Sequence, residues 1–228
     1  MSGDFIPLSG LAAPLAVALS PPGAEPPPPS AKDQEAKLIA VLKSDAPRKA
    51  KADACRELGR LGTREAVAPL AALLCDPDLS HMARYGLEPI PDPAVDIALR
   101  EALDKVTGRL LVGVIGSIGV RHDPKAVQAL VKRLSDGDHE VAQAAALSLG
   151  KIGTLDAAAA LEKALPNAPE ANRLAICEGL FRCADTLRAQ GQQIDAVKIY
   201  EQLRTASVPD YVRQGASHAE ELLRQRER

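Results

Sequence analysis

Tryptophan is absent from this 228-residue chain, and only two Phe and three Tyr represent the aromatics. That poverty argues against sites in which bases or sugar rings stack on aromatic faces. An excess of positive charge is missing too: 28 Lys and Arg stand against 30 Asp and Glu, a net charge of −2. Nothing here drives the chain toward phosphate backbones in general, and nucleic acid is not an expected partner. The four cysteines form no C-x-x-C or C-x-x-C-H, which removes zinc ribbons, thioredoxin-like redox centres and covalent haem. Their expected role is that of small buried hydrophobes. Nor is there a convincing membrane span. The apolar run from Phe5 to Leu19 is short and broken by Pro7 and Pro14.

That run has the length of the apolar region of a secretory signal, and Ala16-Val17-Ala18 or Ala18-Leu19-Ser20 could be followed by cleavage. A cationic flank is lacking, since the first charge is Asp4. The expectation is export to the periplasm, with a cytoplasmic location as the alternative. Pro21 to Pro29 reads Pro-Pro-Gly-Ala-Glu-Pro-Pro-Pro-Pro, a stiff linker. Residues 1–33 are therefore set apart as a leader plus linker.

What the chain has in quantity is repetition. An aliphatic pair closes a helical pattern at Leu58/Leu61, Leu87/Ile90, Ile115/Ile118 and Leu149/Ile152, and more loosely at Leu180/Cys183. The steps from Leu58 to Leu87, Ile115, Leu149 and Leu180 are 29, 28, 34 and 31 residues. A period in that range predicts a solenoid of helical hairpins. In the clearest unit Asp138 is a predicted N-cap, and Val141, Ala145, Leu149 and Ile152 share one helix face. Gly153 can end that helix in a left-handed conformation, and Thr154 can cap the next one, with Leu161 and Leu165 inward. In the preceding unit Asp123-Pro124 starts a second helix whose stripe is Val127, Leu130, Val131 and Leu134. One hairpin has too little apolar surface to offset its chain entropy and needs neighbours. Pro89 and Pro91 must stop one first helix early, near Glu88, which predicts a break in the curvature of the stack.

The hairpins with their Leu-Gly-x-Ile-Gly turn resemble HEAT repeats, in particular the compact kind first recognised in phycobilin lyases. The resemblance covers about Pro47 to Leu165. It implies an all-α, right-handed α-solenoid with HEAT-like repeats over residues 34–167. Leu180, Ala184, Leu187, Gly191, Ala196, Tyr200 and Leu203 fall at relative positions 4, 8, 11, 15, 20, 24 and 27. That spacing is similar to one tetratricopeptide repeat. Residues 168–228 are accordingly read as a tetratricopeptide-like hairpin plus a capping helix, about Tyr211 to Gln225.

No chemistry emerges from the motifs. His139-Glu140 is similar to the His-Glu pairs by which HEAT-like deoxyhypusine hydroxylases hold iron. The equivalent places elsewhere read Lys51-Ala52, His81-Met82 and Arg109-Leu110, and one pair cannot complete a coordination sphere. A solvated helix start is the plainer reading, with Glu140 complementing the helix dipole. No cluster marks a tetrapyrrole pocket. His81, His122, His139 and His218 lie far apart in the pattern, without nucleophile or acid partners at helical spacing. Gly113, Gly116 and Gly119 read as close-packing positions rather than a phosphate loop. No cofactor and no metal are expected.

What remains is a surface. In HEAT-like stacks the second helices line the concave face. Their outward residues here are Asp96, Arg100, Lys125, Gln128, Lys132, Glu162 and Lys163, a mixed-charge strip suited to a protein partner. Arg84 and Tyr85 could add an aromatic contact before the proline break. The resemblance implies a non-catalytic scaffold or adaptor of bacterial type, with the partner and the oligomeric state left open. The alternative is an enzyme or enzyme subunit of the bilin-lyase type or, less in keeping with the residues, the His-Glu hydroxylase type.

Overall fold

The computed structural model describes residues 30–226, and the leader and linker up to Pro29 lie outside them. Helices α1 (Ala31–Lys43), α2 (Arg48–Leu61), α3 (Arg64–Ala71), α4 (Ser80–Leu87) and α5 (Ala94–Ala102) come first. They are followed by α6 (Gly108–Val120), α7 (Val127–Arg133), α8 (His139–Ile152) and α9 (Leu155–Ala164). The series ends with α10 (Glu170–Ala189), α11 (Gln193–Thr205) and α12 (Asp210–Arg226). Every regular element among the described residues is helical.

Several helices begin on a capping side chain. Ser30, Thr63, Asp138 and Thr154 each accept a backbone N–H of the helix they precede. Asp123 does so for a 3-10 turn, Pro124–Ala126, that leads into α7. Gly153 closes α8 at φ +64°, a conformation that costs glycine little. Each first helix then presents one aliphatic face. Leu58, Leu87, Ile115, Leu149 and Leu180, the markers of the period, are all 0–1% exposed, so the repeat is a repeat of buried anchors. Burial of each is worth roughly 1.5–3 kcal/mol.

The first helices α2, α4, α6, α8 and α10 pack in series, and the second helices form a layer beside them in which α3 packs on α5 and α7 on α9. The molecule is an α-solenoid. α10 packs on both α8 and α11, and α12 covers α11, so the core runs on through the last helices. Backbones in the first layer come very near one another. A Cβ on Gly150 would lie 2.7 Å from the Cα of Gly179, and one on Gly179 would lie 2.6 Å from the carbonyl oxygen of Ala146. The α4–α6 contact is much the smallest in this layer. Pro89 and Pro91 follow directly on α4, and Arg84 wedges against Gly113 there, where a Cβ would meet its Cζ at 2.6 Å.

Long-range polar bonds pin several of the repeats to their neighbours. Ser148 Oγ donates to Ile115 O at 2.9 Å, and Cys183 Sγ donates to Leu149 O at 3.6 Å. Glu35, 5% exposed, accepts from Thr63 N at 2.6 Å and from Thr63 Oγ1 at 2.9 Å, tying α1 to the first hairpin. His122, at φ +52°, donates through Nδ1 to Lys151 O. Two expectations are corrected. Gly116 is not a close-packing position, because nothing lies within 4 Å of a Cβ built there. Cys75 is exposed at the end of the first hairpin, whereas Cys55, Cys177 and Cys183 are buried.

Candidate functional site

The eight side chains expected to meet a partner fall into three separate places. Arg84 and Tyr85 belong to α4, in the first-helix layer. Tyr85 is 53% exposed and opens onto a cavity of about 420 Å³ shared with Arg60, Pro89 and Val120. Arg84 turns the other way, onto Gly113, with its Nε buried and unpaired and its Nη2 3.5 Å from His81 Nδ1. Burial lowers its pKa, a shift that the Glu88 carboxylate partly offsets.

Asp96 and Arg100 are on α5, yet they are committed to neighbours within the chain. Asp96 pairs with Arg121 and Arg100 with Asp123, both across a repeat boundary. Arg121 also donates to Glu88 O at 2.9 Å and to Ile90 O at 2.7 Å. These groups hold the turn after α6 against the end of α4 and the start of α5. Their geometry is that of a staple between repeats.

Lys125, Gln128, Lys132 and Lys163 remain, all exposed, in the second-helix layer. Lys125 precedes α7, Gln128 and Lys132 lie on it, and Lys163 lies in the last turn of α9. Gln128 and Lys163 line opposite sides of a groove of about 730 Å³ between α7, α9 and the start of α10. Its floor is made by Val131, Leu134, Ala160 and Ile176. The groove also contains Asn172, 3% exposed, whose Oδ1 has no hydrogen-bond partner. An orphaned buried acceptor costs about 1–3 kcal/mol, which a ligand's donor can recover. Sequence reasoning missed Asn172. The signal was there: it is the polar member of a stripe that continues through Ile176, Cys177 and Leu180, all buried.

Glu162, the remaining residue of the strip, faces a different cavity of about 460 Å³ with Arg173, Leu180 and Gln202 on its walls. With the Gln202 amide nitrogen turned toward it, Glu162 Oε2 accepts at 3.1 Å. Burial raises the Glu162 pKa, and the bond from Gln202 opposes that rise. His139 and Glu140 are exposed at the start of α8. Among the described residues no three His, Cys, Asp or Glu side chains gather into a metal-holding group. No helix among them is long and apolar enough to cross a membrane.

Comparison with known proteins bears on the fold. The family model for HEAT repeats matches residues 35–111 and 97–180. A crystal structure of an engineered protein is similar at 21% identity, covering 85% of this chain and 97% of that one with a TM-score of 0.50. A designed armadillo repeat protein is similar at 19% identity, covering 82% of this chain and 98% of its own, with a TM-score of 0.46. No curated protein sequence matches the chain.

Proposed function

Because the chain belongs to the HEAT-repeat family, we propose that it is a non-catalytic scaffold or adaptor that binds a protein partner on its second-helix layer. One observation carries this reading: an open groove with an apolar floor, exposed Gln128 and Lys163 on its rim, and the unsatisfied Asn172 inside. Recognition surfaces combine apolar area with a few placed polar groups, and this groove has both. The contact strip on this reading is Lys125, Gln128, Lys132 and Lys163. Tyr85 offers a second, smaller contact on the first-helix layer, and Asp96 and Arg100 serve the stack itself.

A photo-reactive residue in place of Gln128 or Lys163 tests the proposal in the intact protein in its own cells. A discrete crosslinked partner is expected at both positions and not at Gln214 on α12. Equal labelling at all three positions would refute the reading.

We extend the proposal to organisation and location. Residues 34–167 act as the HEAT-like body, and residues 168–228 as a tetratricopeptide-like hairpin and terminal cap. Export rests on residues 1–20, which lie outside the described residues. Sequencing the N-terminus of the mature protein checks it, with cleavage after Ala18 or Ser20 as the expected result.

A further inference from the structure

The α7–α9 groove differs from the neighbouring part of the layer in how its charges are balanced. On α5 the charged side chains Asp96 and Arg100 are matched inside the chain by Arg121 and Asp123. Around the groove the cations are not matched. Lys125, Lys132 and Lys163 are exposed and enter none of the ion pairs among the described residues. The carboxylate on the groove wall is Asp136, and Arg133 already faces it at 3.5 Å. Asp156 lies in the first turn of α9, where the helix amide groups attract it. Glu162 is turned toward Gln202. The groove lining thus carries one unpaired cation, Lys163, over an apolar floor, with Lys132 exposed on α7 next to the lining residue Val131, and one buried amide, Asn172, is left short of a donor.

We infer that this groove takes a short acidic segment of a partner protein, an aliphatic side chain seated against Val131, Ala160 and Ile176. Its carboxylates meet Lys132 and Lys163, and a backbone or side-chain N–H of the segment reaches the Asn172 amide. The volume, about 730 Å³, is within the range of pockets that enclose a short ligand. Charge complementarity of this kind sets partner choice and association rate more than bare affinity. The inference rests on the scaffold reading and adds the chemistry of the partner.

A display library of random twelve-residue peptides, selected on the full-length protein, tests it. The expected outcome is enrichment of segments that combine Asp or Glu with Leu, Ile or Val. Their affinity should fall at least tenfold on the K132E/K163E variant, and likewise on A159W, which fills the groove from an exposed position. Both changes are at the surface, and circular dichroism confirms that the fold is kept. Groove-dependent peptides without an acidic excess would overturn the inference while leaving the scaffold reading intact. Binding that ignores A159W would overturn both. Failure to enrich any peptide, or a dimer in light scattering that A159W dissociates, would also sink the acidic segment as the occupant.

Discussion

Arg121 Nη1 donates to Ile90 O at 2.7 Å, joining residues 31 apart in sequence across the boundary between two repeats. The same guanidinium donates to Glu88 O at 2.9 Å and pairs with Asp96, so one side chain satisfies the end of α4 and anchors the start of α5. The site matters because this is where the first-helix layer makes its smallest contact. What packing does not supply between α4 and α6, a fork of charge-assisted hydrogen bonds supplies.

Arg121→Ala should therefore destabilise the chain by about 2–4 kcal/mol, because it leaves buried carbonyls and a half-buried carboxylate without donors. In a chain of this length that lowers Tm by about 4–16 °C. Arg121→Lys keeps the charge and loses the fork, so its Tm should fall between the two. Thermal unfolding followed by circular dichroism decides, and an unchanged Tm for the alanine variant would remove the staple from the account.

The glycines separate what could be read in the sequence from what could not. Helix faces were legible, because each hairpin buries one stripe and the spacing of Leu, Val and Ile records it. Caps were legible for the same local reason: Asp138, Thr154 and Gly153 act within a few residues of themselves. Close approach between helices is different, since it depends on which residue of the next repeat lies opposite. Gly113, Gly116 and Gly119 look alike in sequence, yet Gly113 holds Arg84, Gly119 holds Ser148, and Gly116 faces open space. The Arg121 and Glu35 bonds, which span 25–33 and 28 residues, were hidden for that reason too.

Opposite signs follow for two substitutions of the same kind. Gly150→Ala places a methyl group 2.7 Å from Gly179 backbone atoms and should cost about 1–3 kcal/mol as α8 and α10 are forced apart. Gly116→Ala meets nothing and sits in the interior of α6, so it should stabilise by about 0.5–1 kcal/mol through helix propensity. Urea denaturation of both variants gives the two signs directly. Destabilisation by both would mean that the open space at Gly116 is occupied in solution.

Glu162 gives a pH dependence with a definite direction. Its folded-state pKa lies above the ordinary 4.5 because burial disfavours the charged form. Between the unfolded and folded values the folded chain binds more protons than the unfolded one, so stability falls as pH rises through that window. The loss persists at neutral pH. Glu162→Gln removes the charge and keeps a partner for Gln202, so it should raise Tm at pH 7 by about 1–2 °C, an effect of roughly half a kcal/mol. At pH 4 the two proteins should melt together. A gain of equal size at both pH values would show that packing, not ionisation, is responsible.

The four thiols should divide sharply in reactivity. Cys183 is fully buried, and burial together with the nearby Glu162 carboxylate pushes its pKa up to about 12. Burial likewise pushes Cys55 to about 11 and raises Cys177. All three are held as thiols at neutral pH, whereas the attacking species in disulfide exchange is the thiolate. Cys75 alone is exposed. A disulfide reagent at pH 8 should therefore titrate one thiol quickly in the native protein and four after denaturation, and Cys75→Ser should abolish the fast one. Rapid reaction of a second thiol in the folded protein would mean that the contacts around Cys55, or the packing of α8 against α10 around Cys177 and Cys183, open more readily than their burial implies.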